Sequence, residues 1–264
     1  IFEFNADTPT SLLEASVIQW QWKEDVFPEC DQFNGIHEGL VQSWKDIFPK
    51  KGEIHFAGAL ENNEDTGTLQ YLASTAMEAG FSTRVLDMQA LDLQNGRFFD
   101  PAGELVNRCF KLYPWEWMVD ESPDGCLAEM EWLEPIWKLV MSNKAILATL
   151  YELFPDSPYV LPCYLSRPRS GLFCKKPVFS REGHNVSVVD IRDWEEYVRI
   201  AETEGDYNTG AYVYQEYVEP TAYSGRYPVI GSWIIGGEAA GIGIRENRME
   251  VTDNLSEFVP HIIG

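Results

Sequence analysis

Two stretches of this sequence hold residue types that could do chemistry. The first is Phe173-Cys174-Lys175-Lys176-Pro177-Val178-Phe179-Ser180-Arg181-Glu182-Gly183. A short apolar segment leads through two lysines into a loop with Ser180, Arg181 and Gly183, and Asn185-Val186-Ser187-Val188-Val189 then alternates as a return strand. Such a hairpin suits a phosphate: backbone N–H groups near Gly183 can point at the anion while Lys176 and Arg181 supply charge. The plain alternative is a surface hairpin that carries basic residues. Against it stands the acidity of the whole chain, which makes three clustered cations locally unusual. The second stretch is Glu3-Phe4-Asn5, where strand alternation puts both polar side chains on one face. Carboxylate and amide oxygens two residues apart could hold Mg²⁺, a hard cation that takes oxygen ligands. A polar edge strand running into a capped helix would read the same way.

The elements that must position these residues follow from periodicity and punctuation. Residues 1–5 alternate as a strand, and Thr8, Pro9 and the Ser11-x-x-Glu14 spacing read as a helix start. Helices are expected over 12–25, 38–48 and 66–79, and strands over 53–57 and 82–86. That alternation predicts an α/β layer with a partly parallel sheet. Gln94-Asn95-Gly96-Arg97 is a hairpin turn. Glu116 lies between Trp115 and Trp117, a frame that could grip an amine or simply pack its rings inward. Between Pro135 and Tyr151, Asn143 reads as a possible cap. Lys144 then falls near a helix N-terminus, where a cation opposes the dipole and needs a compensating anion. Residues 211–218 alternate as a strand, and residues 227–244 read as a hairpin turning at Gly236-Gly237 and ending in Gly241-Ile242-Gly243-Ile244-Arg245. The alternating glycines leave a bare strand face that something can approach, with Arg245 at its end.

Composition sets the limits. The 264 residues are 45% hydrophobic and 13% aromatic, ample for a core. Acidic residues number 42 against 20 basic, for a net charge of −22. This disfavours nucleic acid and anionic membrane as partners, since both need a positive footprint. It is compatible with a cationic substrate such as a polyamine, and equally with a surface built for solubility. The five cysteines (Cys30, Cys109, Cys126, Cys163, Cys174) form no C-x-x-C pair, as expected of reduced thiols in a cytoplasmic protein. No apolar run approaches the ~18–20 residues of a membrane span. The chain opens on Ile1, in what reads as a strand, so it is expected to begin inside a domain.

Several stretches together resemble one family. They are Glu3-Phe4-Asn5-Ala6-Asp7-Thr8-Pro9-Thr10-Ser11, Ser142-Asn143-Lys144-Ala145-Ile146-Leu147, Lys175-Lys176-Pro177 with Ser180-Arg181-Glu182-Gly183, and Gln215-Glu216-Tyr217. Pro228–Trp233, Ala240–Arg245 and Phe258-Val259-Pro260-His261 complete the set. The chain resembles the synthetase region of glutathionylspermidine synthases, and more closely their stand-alone bacterial relatives, the acid–amine ligases. The resemblance implies an α/β (α+β) ATP-grasp fold of the glutathione-synthetase type, truncated at the N-terminus. It implies an ATP- and Mg²⁺-dependent ligase that joins a glutathione-like acid to an amine or polyamine through an acyl phosphate.

Carried over residue by residue, the resemblance makes Glu3 and Asn5 the Mg²⁺ ligands and Thr8 and Thr10 the acid-substrate contacts, and it puts Glu116 in a segment associated with substrate binding. Lys144 and Lys176 become the ATP-phosphate lysines, with Ser180 and Gly183 in the phosphate loop. Arg181 and Arg245 become the catalytic cations on the transferring phosphoryl group, and Gln215, Glu216, Tyr217 and Val218 the adenine strand. It also divides the chain into a substrate and Mg²⁺ part (1–150), a lid subdomain (151–215) and C-terminal ATP-grasp strands (216–264). The expected parts for phosphoryl transfer are cations and alignment rather than covalent chemistry. Two departures stand out. The synthase's Arg and Asp on an earlier strand have no counterpart in this chain, and Ser256 falls where the synthase has its polyamine aspartate. Two other classes fit fewer of these features: a phosphotransferase that stops at phosphate transfer, and a non-catalytic nucleotide-binding module.

Overall fold

The computed structural model describes residues 1–193, 197–207, 210–249 and 256–264. The chain forms two compact units: one comprises residues 6–139, 230–244 and 258–264, the other residues 1–5, 140–229 and 245–257.

The first unit is built on a parallel sheet. After a π-helical stretch at Glu14–Ile18 come α1 (Gln19–Val26), α2 (Ile36–Ile47), β1 (Glu53–Gly58), α3 (Asn63–Glu78) and β2 (Ser82–Asp87). Then follow β3 (Asp92–Gln94), β4 (Arg97–Phe99), β5 (Leu105–Val106), β6 (Arg108–Leu112), α4 (Trp115–Glu121), α5 (Pro123–Cys126) and β7 (Glu131–Leu133). The sheet order is β2-β1-β6-β7, and β1 pairs parallel with both β2 and β6. Strand β1 is central, so nearly every residue in it is buried, the continuous apolar run that a covered parallel strand requires. Trp44 of α2 meets Phe56 edge-on at 5.5 Å and donates its indole N–H to Thr75 of α3. These contacts lock two helices and the central strand into one core.

The first helix and α3 of this unit differ from the periodic reading. Thr8 and Pro9 lie outside the helix, which starts at Leu12 after Ser11 takes a left-handed φ of +61°. Helix α3 starts at Asn63 rather than Thr66, because the Asn62 side chain accepts the Glu64 N–H and caps it there. The Asn95-Gly96 turn forms as expected, both residues at positive φ (51° and 75°), and joins β3 to β4.

The second unit carries an antiparallel sheet. It contains α6 (Lys138–Ser142, from Val140 on), α7 (Ala145–Leu153), β8 (Cys163–Tyr164), β9 (Gly171–Pro177), β10 (Ser187–Ile191), β11 (Tyr197–Glu202) and β12 (Tyr212–Glu216). The order is β11-β10-β9-β12-β8. Leu147 and Ala148 of α7 pack with Cys163 and Val213 on one face, and Phe173, Val189 and Ile191 cluster separately. Residues 1–5 do not form the expected strand. Their carbonyls go to side chains instead of a ladder: Phe2 O accepts from Lys176 and Ile1 O from Gln215.

The last strands are β13 (Tyr227–Ile235), β14 (Glu238–Asn247) and β15 (Glu257–Val259), joined in a three-stranded sheet. Gly236 and Gly237, at φ 61° and 90°, make the turn. The bare strand face at Gly241 is occupied: a Cβ there would sit 2.9 Å from Ile36 and 3.1 Å from Phe33 O.

Candidate active site

The two lysines picked out by sequence come to one place in the antiparallel-sheet unit. Lys176 lies on β9 opposite Val213 of β12, which makes Gln215 its diagonal neighbour on the same face. Gln215 Oε1 accepts from Lys176 Nζ at 2.8 Å, and Phe2 O accepts at 3.0 Å. Both acceptors are neutral, and Lys176 is only 8% exposed. Its neighbour Lys175 points to the other face, over the Tyr212 ring at 3.8 Å. Strand alternation therefore separates a buried cation from a surface one.

Lys144 is the N-cap residue of α7, where Asn143 Oδ1 accepts the Ala145 N–H at 2.8 Å. The Lys144 N–H goes to Val178 O, which ties the helix start to the end of β9. Its ammonium donates to Ser180 O at 2.6 Å and lies 3.5 Å from Glu3 Oε2. Glu3 is thus the compensating anion that a lysine at a helix N-terminus requires. Burial lowers the Lys144 pKa; Glu3 opposes that fall, while Lys176 and Arg181 add to it. Desolvation pushes the Glu3 carboxyl up, but Lys144 and Lys176 outweigh it and hold it below the ordinary glutamate value. Asn5 Nδ2 donates to Glu3 Oε1 at 3.3 Å. The Ser180 hydroxyl is buried with no hydrogen-bond partner among the described residues, a donor left over beside the lysines.

The loop between β9 and β10 bends through Glu182 (φ 57°), Gly183 (φ 71°) and Asn185 (φ 56°). Arg181 sits in it, close enough to act on Lys144 electrostatically. Along β12, the N–H groups of Glu216 and Tyr217 are given to Pro162 O and Leu172 O, while the Glu216 side chain and Val218 are exposed. Gln215 is 1% exposed and spent on Lys176 and Ile1 O, a role its position in the strand did not reveal. Arg245 is half-buried on β14 in the same unit, with no contact to the lysine cluster among the described residues.

Thr8, Thr10 and Glu116 belong to the parallel-sheet unit. Between Thr8 and Ala6 stands Asp7, fully buried with Lys111, at 0% exposure each. Lys111 Nζ donates to Asp7 Oδ1 at 2.6 Å and to Tyr113 O at 2.8 Å, and Asp7 Oδ2 accepts the Trp115 N–H at 2.7 Å. Sequence reasoning passed over this pair. Its signal was a lysine inside the apolar strand Cys109-Phe110-Lys111-Leu112, which cannot stay charged there without a partner. In the same unit a cavity of about 600 Å³ is lined by Glu53, His55, Arg108 and Glu131 among others, and holds none of the sequence-predicted residues.

The mixed α/β chain thus sets two buried lysines, a glutamate and a spare hydroxyl beside a turn-rich loop. The chain belongs to the glutathionylspermidine synthase preATP-grasp family, which matches residues 1–264. A Haemophilus influenzae protein provisionally named an acid–amine ligase is 38% identical over 99% of this chain and 70% of its own length. Trypanothione synthetase of Crithidia fasciculata is 28% identical over 97% of this chain. The bifunctional glutathionylspermidine synthetase/amidase of Escherichia coli is 25% identical over the whole chain. This chain spans 44% and 47% of those two proteins, respectively. A solved structure, a provisionally named γ-glutamylcysteine synthetase of Methylobacillus flagellatus, superposes with a TM-score of 0.59 at 11% identity. It covers 85% of this chain and 72% of its own, a likeness of fold. Among the described residues, no helix is long and apolar enough to cross a membrane.

Proposed function

We propose that this chain is the ATP-grasp portion of a carboxylate–amine ligase, using ATP and Mg²⁺ to join a glutathione-like acid to an amine or polyamine. The observation that carries this reading is the lysine cluster. Lys176 hydrogen-bonds two neutral oxygens, and the nearby Glu3 carboxylate that acts on it also pairs with Lys144. The site therefore has more positive charge than its own acceptors neutralise, and a triphosphate supplies the missing anion.

In this reading a carboxylate oxygen of the acid attacks the γ-phosphorus, ADP leaves, and an acyl phosphate forms. The amine nitrogen then attacks the acyl carbon, phosphate leaves, and the nitrogen loses a proton to give the amide. Lys144 and Lys176 hold the phosphates, with the Ser180 hydroxyl as a further donor. Arg181 and Arg245 neutralise the charge that moves with the phosphoryl group. The loop of Val178–Asn185 covers the site and keeps water from the acyl phosphate. Thr8 and Thr10 hold the acid, and Glu116 contributes to substrate binding. An adenine along Gln215–Val218 meets the exposed Glu216 carboxylate and the Val218 backbone, because the amides of Glu216 and Tyr217 are already used.

Glu3 and Asn5 fit Mg²⁺ as a partial ligand set. No cluster of three or more His, Cys, Asp or Glu suited to a metal exists among the described residues, but Mg²⁺ at phosphates takes only one or two carboxylates and completes its shell from the nucleotide and water. The ion there neutralises phosphate charge. The net charge of −22 suits a cationic amine, and the five free cysteines suit a reducing, cytoplasmic setting.

The test is ADP release by the intact protein with ATP, Mg²⁺, glutathione and a panel of amines, with products identified by mass. Amide formed only when both acid and amine are present supports the ligase. Phosphorylated acid without amide marks a phosphotransferase, and ATP binding without turnover marks a non-catalytic nucleotide module. Lys176→Met removes one phosphate cation at little cost in volume, and turnover falls by roughly 10²–10³ on the scale of one such donor.

A further inference from the structure

We infer that Asp7 and Lys111 are positioning residues that clamp the Thr8–Thr10 segment to the helix carrying Glu116, making one substrate-holding edge of two distant pieces of chain. The inference rests on the ligase reading for what is held, but not for the clamp itself. Asp7 Oδ1 takes the Lys111 ammonium at 2.6 Å, and Asp7 Oδ2 takes the N–H of Trp115, the first residue of α4, at 2.7 Å. Thr8 follows Asp7 directly and Glu116 follows Trp115 directly, so each candidate contact is one Cα step of about 3.8 Å from the clamp.

The location is chemically apt. Chain order places β2 on one side of β1 and β6 on the other, so the connections reverse between β1 and β6. Open α/β sheets bind ligands at such a reversal, outside the carboxyl ends of the strands. Lys111 is the second-last residue of β6, and Tyr113–Trp115 follow at its carboxyl end. The 600 Å³ cavity lies at the opposite edge, where Glu53, Arg108 and Glu131 begin β1, β6 and β7, so it is not this site.

Burying an ion pair costs desolvation, and an apolar pair of similar volume is often as stable or more so. Stability alone therefore does not explain a fully buried Asp7–Lys111 pair, whereas two oxygens directed to two separate chain segments do fix geometry. Ser11, at φ +61°, turns the chain into the helix just after the held segment.

The experiment uses the intact protein with Asp7→Leu/Lys111→Met, which removes both charges and leaves no lone buried ion, beside Asp7→Asn/Lys111→Met, which also leaves none. Hydrogen exchange at residues 8–13 rises by about tenfold or more in Asp7→Leu/Lys111→Met, while β1 and α3 hold their protection. The KM for glutathione rises about ten- to a hundredfold with the KM for ATP within about twofold, since a displacement near 1 Å costs on that scale. Asp7→Asn/Lys111→Met, which keeps an acceptor for the Trp115 N–H, falls between Asp7→Leu/Lys111→Met and wild type in both readings. Unchanged exchange at 8–13 overturns the clamp, and so does loosening spread evenly over β1 and α3. If wild type makes no product from glutathione, the acid assignment fails and the exchange pattern alone decides the clamp.

Discussion

At the scale of single residues, burial and partner choice separate side chains that sequence treats alike. Lys175 and Lys176 are adjacent, yet one stacks on a half-buried tyrosine and the other is buried with neutral hydrogen-bond acceptors. His55 shows the same logic with a measurable consequence. Its ring is 2% exposed, neither nitrogen has a hydrogen-bond partner, and Glu53 and Asp100 carboxylates lie 3.7 and 3.9 Å away. Burial lowers its pKa from 6.5 more than the two carboxylates raise it. The unfolded chain therefore binds the proton first as pH falls below 6.5, and stability declines until the folded-state pKa is passed. A single such proton contributes a slope of at most about 1.4 kcal/mol per pH unit. Urea titrations of wild type and His55→Gln at several pH values between neutrality and pH 5 should give a smaller slope for the variant. Equal slopes would mean that His55 titrates in the fold as it does in the unfolded chain.

At the scale of elements, the β9–β10 loop and the β13–β14 hairpin make opposite demands. The loop carries Arg181 among three residues at positive φ and little apolar anchoring beyond Phe179. Under the proposed ligase function it admits substrate before excluding water, so Arg181→Ala should reduce turnover by roughly 10²–10³ while ATP affinity stays within a few-fold. Near-normal turnover would reduce the loop to a surface hairpin. The hairpin is instead packed tight. A methyl at Gly241 meets Ile36 at 2.9 Å and the Phe33 carbonyl at 3.1 Å, and a carbonyl cannot swing aside as a side-chain end can. Gly241→Ala should cost about 1–3 kcal/mol in chemical denaturation. A neutral result would show that α2 slides away freely.

At the scale of the whole molecule, the excess of 42 acidic over 20 basic residues makes self-repulsion a standing cost. Raising NaCl from about 10 mM to about 150 mM shortens the Debye length from about 30 Å to about 8 Å, so the melting temperature should rise by a few degrees. A falling melting temperature would mean that specific ion pairs such as Arg108–Glu131, at 2.7 Å, outweigh the net repulsion.

Local pattern determined much of this protein. The β1–α3–β2 alternation, the Asn95-Gly96 hairpin and the paired strands around Lys176 each follow from side-chain period and turn chemistry, which act over a few residues. The lysines that the structure brings together were singled out for the same reason: cations beside small, turn-forming residues stand out in an acidic chain. Residues 1–5 show where that logic ends. They alternate like a strand, yet their carbonyls are taken by Lys176 and Gln215 from far along the chain, and no ladder forms. Which anion answers Lys144, which residue orients Lys176, and why Asp7 is buried with Lys111 were likewise decided by tertiary structure. Those choices depend on low-dielectric surroundings that exist only once residues 104 to 214 positions apart have been brought together.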